Sequence, residues 1–186
     1  MKYVFVLLIL TLPLLGVGES DNKLSDHKDL ILIDCFGTEH RADKLLESAC
    51  IFTGLYTKCK IKSKCPAVAS FITSTDQLLV KSKIEYNIIV FSFDSSDTIE
   101  EMKAYHVQQK WSNDVYFVKV KDNIPKYNLL LKTLGFRISL SNEGEVYLHG
   151  KQAFLFTNNR SSVLFDRDLI KPDEAFHSFV NSKDNR

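Results

Sequence analysis

Apolar and polar positions along this chain switch repeatedly between an alternating and a helical period. Leu30 to Asp34 is a short apolar run closed by Phe36-Gly37, and Ala49 to Tyr56 is a second run rich in strand formers. Pro66 to Val80 sets Val68, Phe71, Ile72, Leu78 and Leu79 near helical spacing, with the proline at the start, where its missing N–H does no harm. Tyr86 to Phe93, YNIIVFSF, is nearly all apolar and partly β-branched, the pattern of a strand covered on both faces. Asp97 to about Lys110 predicts a helix opened by a capping box, Asp97 accepting from free N–H groups while Glu100 reaches back. Val115 to Val120 is another strand, and Ile124 to Leu134 is a short helix with Pro125 early and Gly135 as its stop. Lys151 to Thr157 and Ser162 to Phe165 flank Asn158-Asn159-Arg160-Ser161, which reads as a hairpin turn. Pro172 to Val180 predicts a closing helix, and no internal repeat or low-complexity tract interrupts the series.

This order predicts an α/β domain with a mixed central sheet flanked by helices. A cysteine pair between a strand and the first long helix, and a late hairpin followed by a terminal helix, are the layout of a thioredoxin-like domain. One such domain is expected over residues 30 to 186, preceded by a polar, loosely held segment from 19 to 29, ESDNKLSDHKD.

The first residues change the expected compartment. Met1 and Lys2 precede an apolar run from Tyr3 to Leu15, then Gly16-Val17-Gly18 and the charged Glu19. Residues 1 to 18 therefore read as a secretory signal with small residues where cleavage needs them. The run is shorter than the roughly 20 residues of a membrane span, so membrane contact is expected only if the segment is retained. Without it the chain carries 23 basic and 23 acidic residues, a balance that argues against a nucleic-acid partner. The expected location is outside the cytoplasm, in a periplasm or cell envelope. There, Cys35, Cys50, Cys59 and Cys65 could form two bridges in three connectivities.

The candidate chemistry lies in GLYTKCKIKSKCPAV, Gly54 to Val68. Six positions along a helix turn through about 600°, so Cys59 and Cys65 meet only if Lys60 to Lys64 is a loop. Cys65 then stands where a helix begins, near the positive end of its dipole. With Lys58, Lys60, Lys62 and Lys64 around the pair, a thiol ionised near neutral pH is expected. Such a thiol suits disulfide exchange and metal binding alike. The lysines do not exclude copper, because two thiolates with a monovalent copper ion form an anionic complex. An ordinary structural disulfide remains the third reading of the same spacing.

Three segments together resemble the Sco/SenC family, thioredoxin-like proteins that carry copper to cytochrome c oxidase or act as thiol-disulfide reductases. Gly54-Leu55-Tyr56-Thr57-Lys58-Cys59 through Cys65-Pro66 is similar to the family's G-[FY]-T-x-C-x-x-x-C-P. Phe91 to Tyr105 resembles its D-P-x-x-D-T-P-E-x-L-K-x-Y, and Tyr147 to Phe156 its Y-x-V-D-H-S and following strand. Leu32 to Gly37 resembles the early strand and turn, so the likeness runs in order through most of the chain. It departs in three places: five residues rather than three separate the cysteines, Leu148 replaces the aspartate before the histidine, and Ser95 replaces a proline.

The resemblance implies Cys59, Cys65 and His149 as ligands of copper, monovalent by the softness of two thiolates and an imidazole. It implies delivery to a copper-accepting oxidase subunit or related cuproprotein. The alternative it carries is a thiol-disulfide oxidoreductase, with Cys59 and Cys65 as a catalytic redox pair acting on a protein thiol or disulfide.

The remaining candidates have plainer expected roles. His27, His40, His106 and His177 are expected to be solvated, and Asp97 to cap its helix, with Asp94 orienting the loop. Cys35 and Cys50 are expected either to bridge or to be small buried residues without a functional role. Trp111, Phe117, Phe154 and Phe156 are expected in the core.

Overall fold

The computed structural model describes residues 27–46, 50–59, 64–83, 85–136, 138–140, 146–149, 152–157, 160–165 and 177. In chain order the strands are β1 (Ile31–Asp34), β2 (Glu39–Arg41), β3 (Cys50–Leu55), β4 (Ile88–Ser92), β5 (Val115–Val120), β6 (Ile138–Leu140), β7 (Val146–His149), β8 (Ala153–Thr157) and β9 (Arg160–Phe165). The helices are α1 (Ala42–Leu45), α2 (Cys65–Ser82), α3 (Ile99–Gln109) and α4 (Ile124–Thr133).

Seven strands form one sheet in the order β2-β1-β5-β4-β3-β8-β9, and β6 pairs with β7 in a separate two-stranded sheet. β3, β4 and β5 run parallel, while the outer pairings are antiparallel, so the sheet is mixed as expected. Successive residues of the central strands feed opposite faces. Ile51, Leu55, Ile88, Val90, Val115 and Phe117 face a core with α2 and α3. Phe52, Ile89, Phe91, Val118 and Val120 face a second core with α1 and α4. Every residue of β3 and β4 is buried, which accounts for their nearly unbroken apolar sequence.

Elements missed in the sequence are short. β2 and α1 have three and four residues, too few to display a period, and lie between the first two apolar runs. The hairpin is tighter than expected, since Arg160 already pairs with Thr157. The closing helix lies outside the described residues except His177, which is exposed as expected. Among the described residues no helix is long and apolar enough to cross a membrane.

Several side chains expected at the surface are inside. His27 is buried, and His40 is half-buried, its Nε2 2.8 Å from Asp34 Oδ2. His106 is 3% exposed, its ring 5.7 Å from that of Trp111, with Nε2 donating to the Val115 carbonyl at 3.1 Å. Helical spacing places it on the inner face of α3, where the imidazole is covered. Trp111, Phe117 and Phe154 are in the core as expected, while the side chain of Phe156 lies outside the described residues. Cys35 and Cys50 do not bridge. Both thiols are free and fully buried, Cys35 in the core beside α2 and α3, Cys50 in the opposite one.

Burial lowers the His106 pKa below its ordinary 6.5, against opposing contributions from the Val115 and Ser112 backbone and from Asp76 and Asp34. The folded chain thus prefers the neutral ring. That preference contributes fully above the unfolded pKa and is lost as pH falls through the folded one. Urea midpoints should fall between pH 7.5 and 5.5, with a slope from this group of at most about 1.4 kcal/mol per pH unit. The part due to His106 should vanish in His106→Gln. An equal fall in that variant would assign the loss to other groups.

Candidate metal and thiol centre

Parallel pairing brings two loop entrances together. Leu55 at the end of β3 is in register with Ser92 at the end of β4, and the Phe93 N–H donates to the Leu55 carbonyl at 2.9 Å. The cysteine loop leaves one strand and the turn before α3 leaves the other. Gly54 permits this approach: a Cβ there would lie 2.1 Å from Cζ of Phe93.

Cys65 is the first residue of α2, with Pro66 next to it as expected. It is 2% exposed, packed in the core of Val68, Ala69 and Ile72, while Cys59 is half-buried. The two sulfurs are within hydrogen-bonding reach of each other, and the Tyr56 hydroxyl hydrogen-bonds Cys59. Residues 60–63 of the intervening loop lie outside the described residues.

The expected ionised thiol at Cys65 is corrected by its burial. Desolvation pushes the Cys65 thiol well up, and the neighbouring Cys59 and Asp97 push the same way; the Tyr56 backbone hydrogen bond opposes them. A helix terminus contributes about 0.3–1 kcal/mol, and up to about 2 in partly buried geometry. Burial of a thiolate is worth several pKa units, so it prevails. Lys58 pairs with Glu101 at 3.1 Å, both side chains well exposed. Burial also raises Tyr105, to about 12, followed by the nearby Cys65 and Cys59. Two tyrosines therefore stand beside the sulfurs, and spacing alone gave no sign of Tyr105.

The capping box is real but one residue later than expected. Thr98 caps α3, accepting from the Glu101 N–H at 3.1 Å while Glu101 Oε2 accepts from the Thr98 N–H at 2.9 Å. Asp97 is displaced from that task. It is fully buried, and its carboxylate accepts from the Thr57 N–H, the Thr57 hydroxyl and the Ser92 hydroxyl at 3.1, 2.5 and 2.6 Å. Asp94 Oδ1 accepts from the Ser96 N–H at 2.8 Å, consistent with a role in shaping this turn.

His149 ends β7, its backbone paired with Ile138; the position of its side chain lies outside the described residues. β8 begins four residues later, with Ala153 opposite Thr53 of β3. The Thr53 hydroxyl donates to the Gln152 carbonyl at 2.6 Å. The antiparallel register thus brings the chain after His149 into the sheet at the end from which the cysteine loop leaves.

Fold and site together define a thioredoxin-like domain whose thiol pair lies between a central strand and the first long helix, Cys65 being that helix's first residue. No family model matches the sequence, and no curated protein matches it. Solved structures do share its fold. A SCO1/SenC family lipoprotein from Bacillus anthracis is similar with a TM-score of 0.67 at 15% identity, over 84% of this chain and 96% of the other. BsSco, a member of the Sco family of cytochrome c oxidase assembly proteins, gives 0.67 at 18%, over 84% and 92%. Arabidopsis thaliana ScoI with copper bound gives 0.63 at 13%, over 84% and 97%. At these identities the likeness establishes the fold, which is the thioredoxin-like fold of Sco/SenC structures.

Proposed function

We propose that this chain is a copper-handling protein of the Sco/SenC type, binding one monovalent copper ion through Cys59, Cys65 and His149 and passing it to another protein. The observation that carries the reading is the pair of sulfurs held within reach of each other at the carboxyl ends of parallel strands, one buried and one half-exposed. Soft donors so placed suit a soft monovalent cation, and the half-exposed sulfur is the one a recipient's ligand could approach.

The ion is cargo here, and the protein's own chemistry is proton release. Each thiol must lose its proton to bind, so affinity rises with pH, the more so because burial holds the Cys65 proton tightly. The copper-bound plant structure and the oxidase-assembly role of BsSco support the choice of metal and an oxidase subunit as recipient. We further propose that residues 1–18 are an export signal and that the domain of residues 30–186 works in the cell envelope.

Anaerobic titration of the reduced protein tests the reading. One equivalent of monovalent copper should bind, and His149→Ala should weaken binding by at least about 10- to 100-fold, the scale for groups that merely orient a metal ligand. A wild type that binds no copper, yet cycles its thiols at a reductant's potential, would overturn it in favour of a thiol-disulfide oxidoreductase acting through Cys59 and Cys65.

A further inference from the structure

We infer that Asp97 is a positioning residue that fixes the spacing of Cys59 and Cys65 by clamping the cysteine loop to the turn between β4 and α3. Since Thr98 provides the helix cap, nothing in α3 requires a carboxylate at position 97. A fully buried carboxylate is costly unless its oxygens are satisfied, and here they are turned back on Thr57 and Ser92. Both bonds to Thr57 anchor the chain two residues before Cys59, after β3 has ended and before α2 has begun.

The other side of the residue is anchored too. Lys119, on β5, donates through Nζ to the carbonyls of Asp97 and Ser95 at 2.5 and 2.8 Å. Ser92 is fixed in turn, its carbonyl accepting from the buried Tyr127 hydroxyl at 2.7 Å. The clamp therefore joins the start of the cysteine loop to β4 through Ser92 and to β5 through Lys119. Cys65 is already held by α2, so the position of Cys59 relative to it depends on this connection.

The inference rests on the thiol pair acting as a unit, and its test uses no copper, so its failure is separate from failure of the copper reading. The full chain is equilibrated with reduced and oxidised glutathione and the bridge located by peptide mass mapping. The Cys59 thiolate attacks oxidised glutathione, whose S–S bond breaks and releases one glutathione thiol, leaving a mixed disulfide. Cys65, losing its proton, then attacks the Cys59 sulfur, forming the Cys59–Cys65 bond and releasing the second glutathione thiol. The equilibrium gives the effective concentration of one thiol at the other.

Asp97→Ala should lower that concentration about tenfold or more, because small displacements are costly to paired reacting groups. Asp97→Asn should stay within about twofold of wild type, since an amide can accept from the Thr57 N–H and donate to its hydroxyl oxygen. Thr57→Val should lower it about threefold, and it decides the matter if Asp97→Ala does not fold by Trp111 fluorescence. An unchanged value in Asp97→Ala or, where that variant is unfolded, in Thr57→Val overturns the inference. So does Asp97→Asn falling as far as Asp97→Ala, because charge rather than geometry would then be responsible.

Discussion

A Cys65→Ser chain will lose monovalent copper to a chromophoric chelator that the wild type resists, its affinity lower by more than about 100-fold. The magnitude follows from chemistry: even groups that only orient a ligand are worth about 10- to 100-fold, and a hydroxyl is a poor donor to a soft ion. Cys59→Ser should lose as much, although Cys59 is half-buried and Cys65 is 2% exposed. Equal losses at two positions of such different burial mark a shared site. Loss at Cys65 alone, accompanied by unfolding, would mark damage to the core. Trp111 fluorescence reports the fold in each case, and retention of tight binding by either variant would refute the ligand assignment.

The second large effect is on stability. Gly54→Ala should destabilise the domain by about 3 kcal/mol or more, the upper end for overpacking a filled core. The added Cβ would stand 2.1 Å from the ring of Phe93, which is 7% exposed and packs edge-on against Phe136 at a centroid distance of 5.2 Å. That ring has little room to yield. Urea denaturation followed by Trp111 fluorescence measures the loss, and Gly54→Ala/Phe93→Ala should be less destabilised than the two single losses added together. Strict additivity would show that the close approach is not what requires a glycine.

The central strands were legible because burial on both faces leaves a continuous apolar run, and Val115–Val120 was read to the residue. Gly135 also ended its helix as read, with φ +90° where a side chain would strain the backbone. β2 and α1 escaped because elements of three or four residues have no period to recognise. Asp97 was misread for a different reason. Its spacing to Glu100 fits a capping box, but Thr98 and Glu101 fit one equally well, and only the buried donors of Thr57 and Ser92 decide between them. Spacing likewise identified the helix terminus at Cys65 without its burial, and so gave the wrong sign for the thiol. A local pattern reports neighbours along the chain, whereas these errors concern neighbours across the sheet.

The placing of Cys35 and Cys50 in separate cores has a consequence for biogenesis. If these two sulfurs were joined while the polypeptide was still extended, the covalent link would oblige both to stay together, and the native sheet could not form between them. Such a premature crosslink would be an assembly error needing a reductant or isomerase to undo. Under oxidising conditions, productive folding would therefore require the strands to close before those two thiols react.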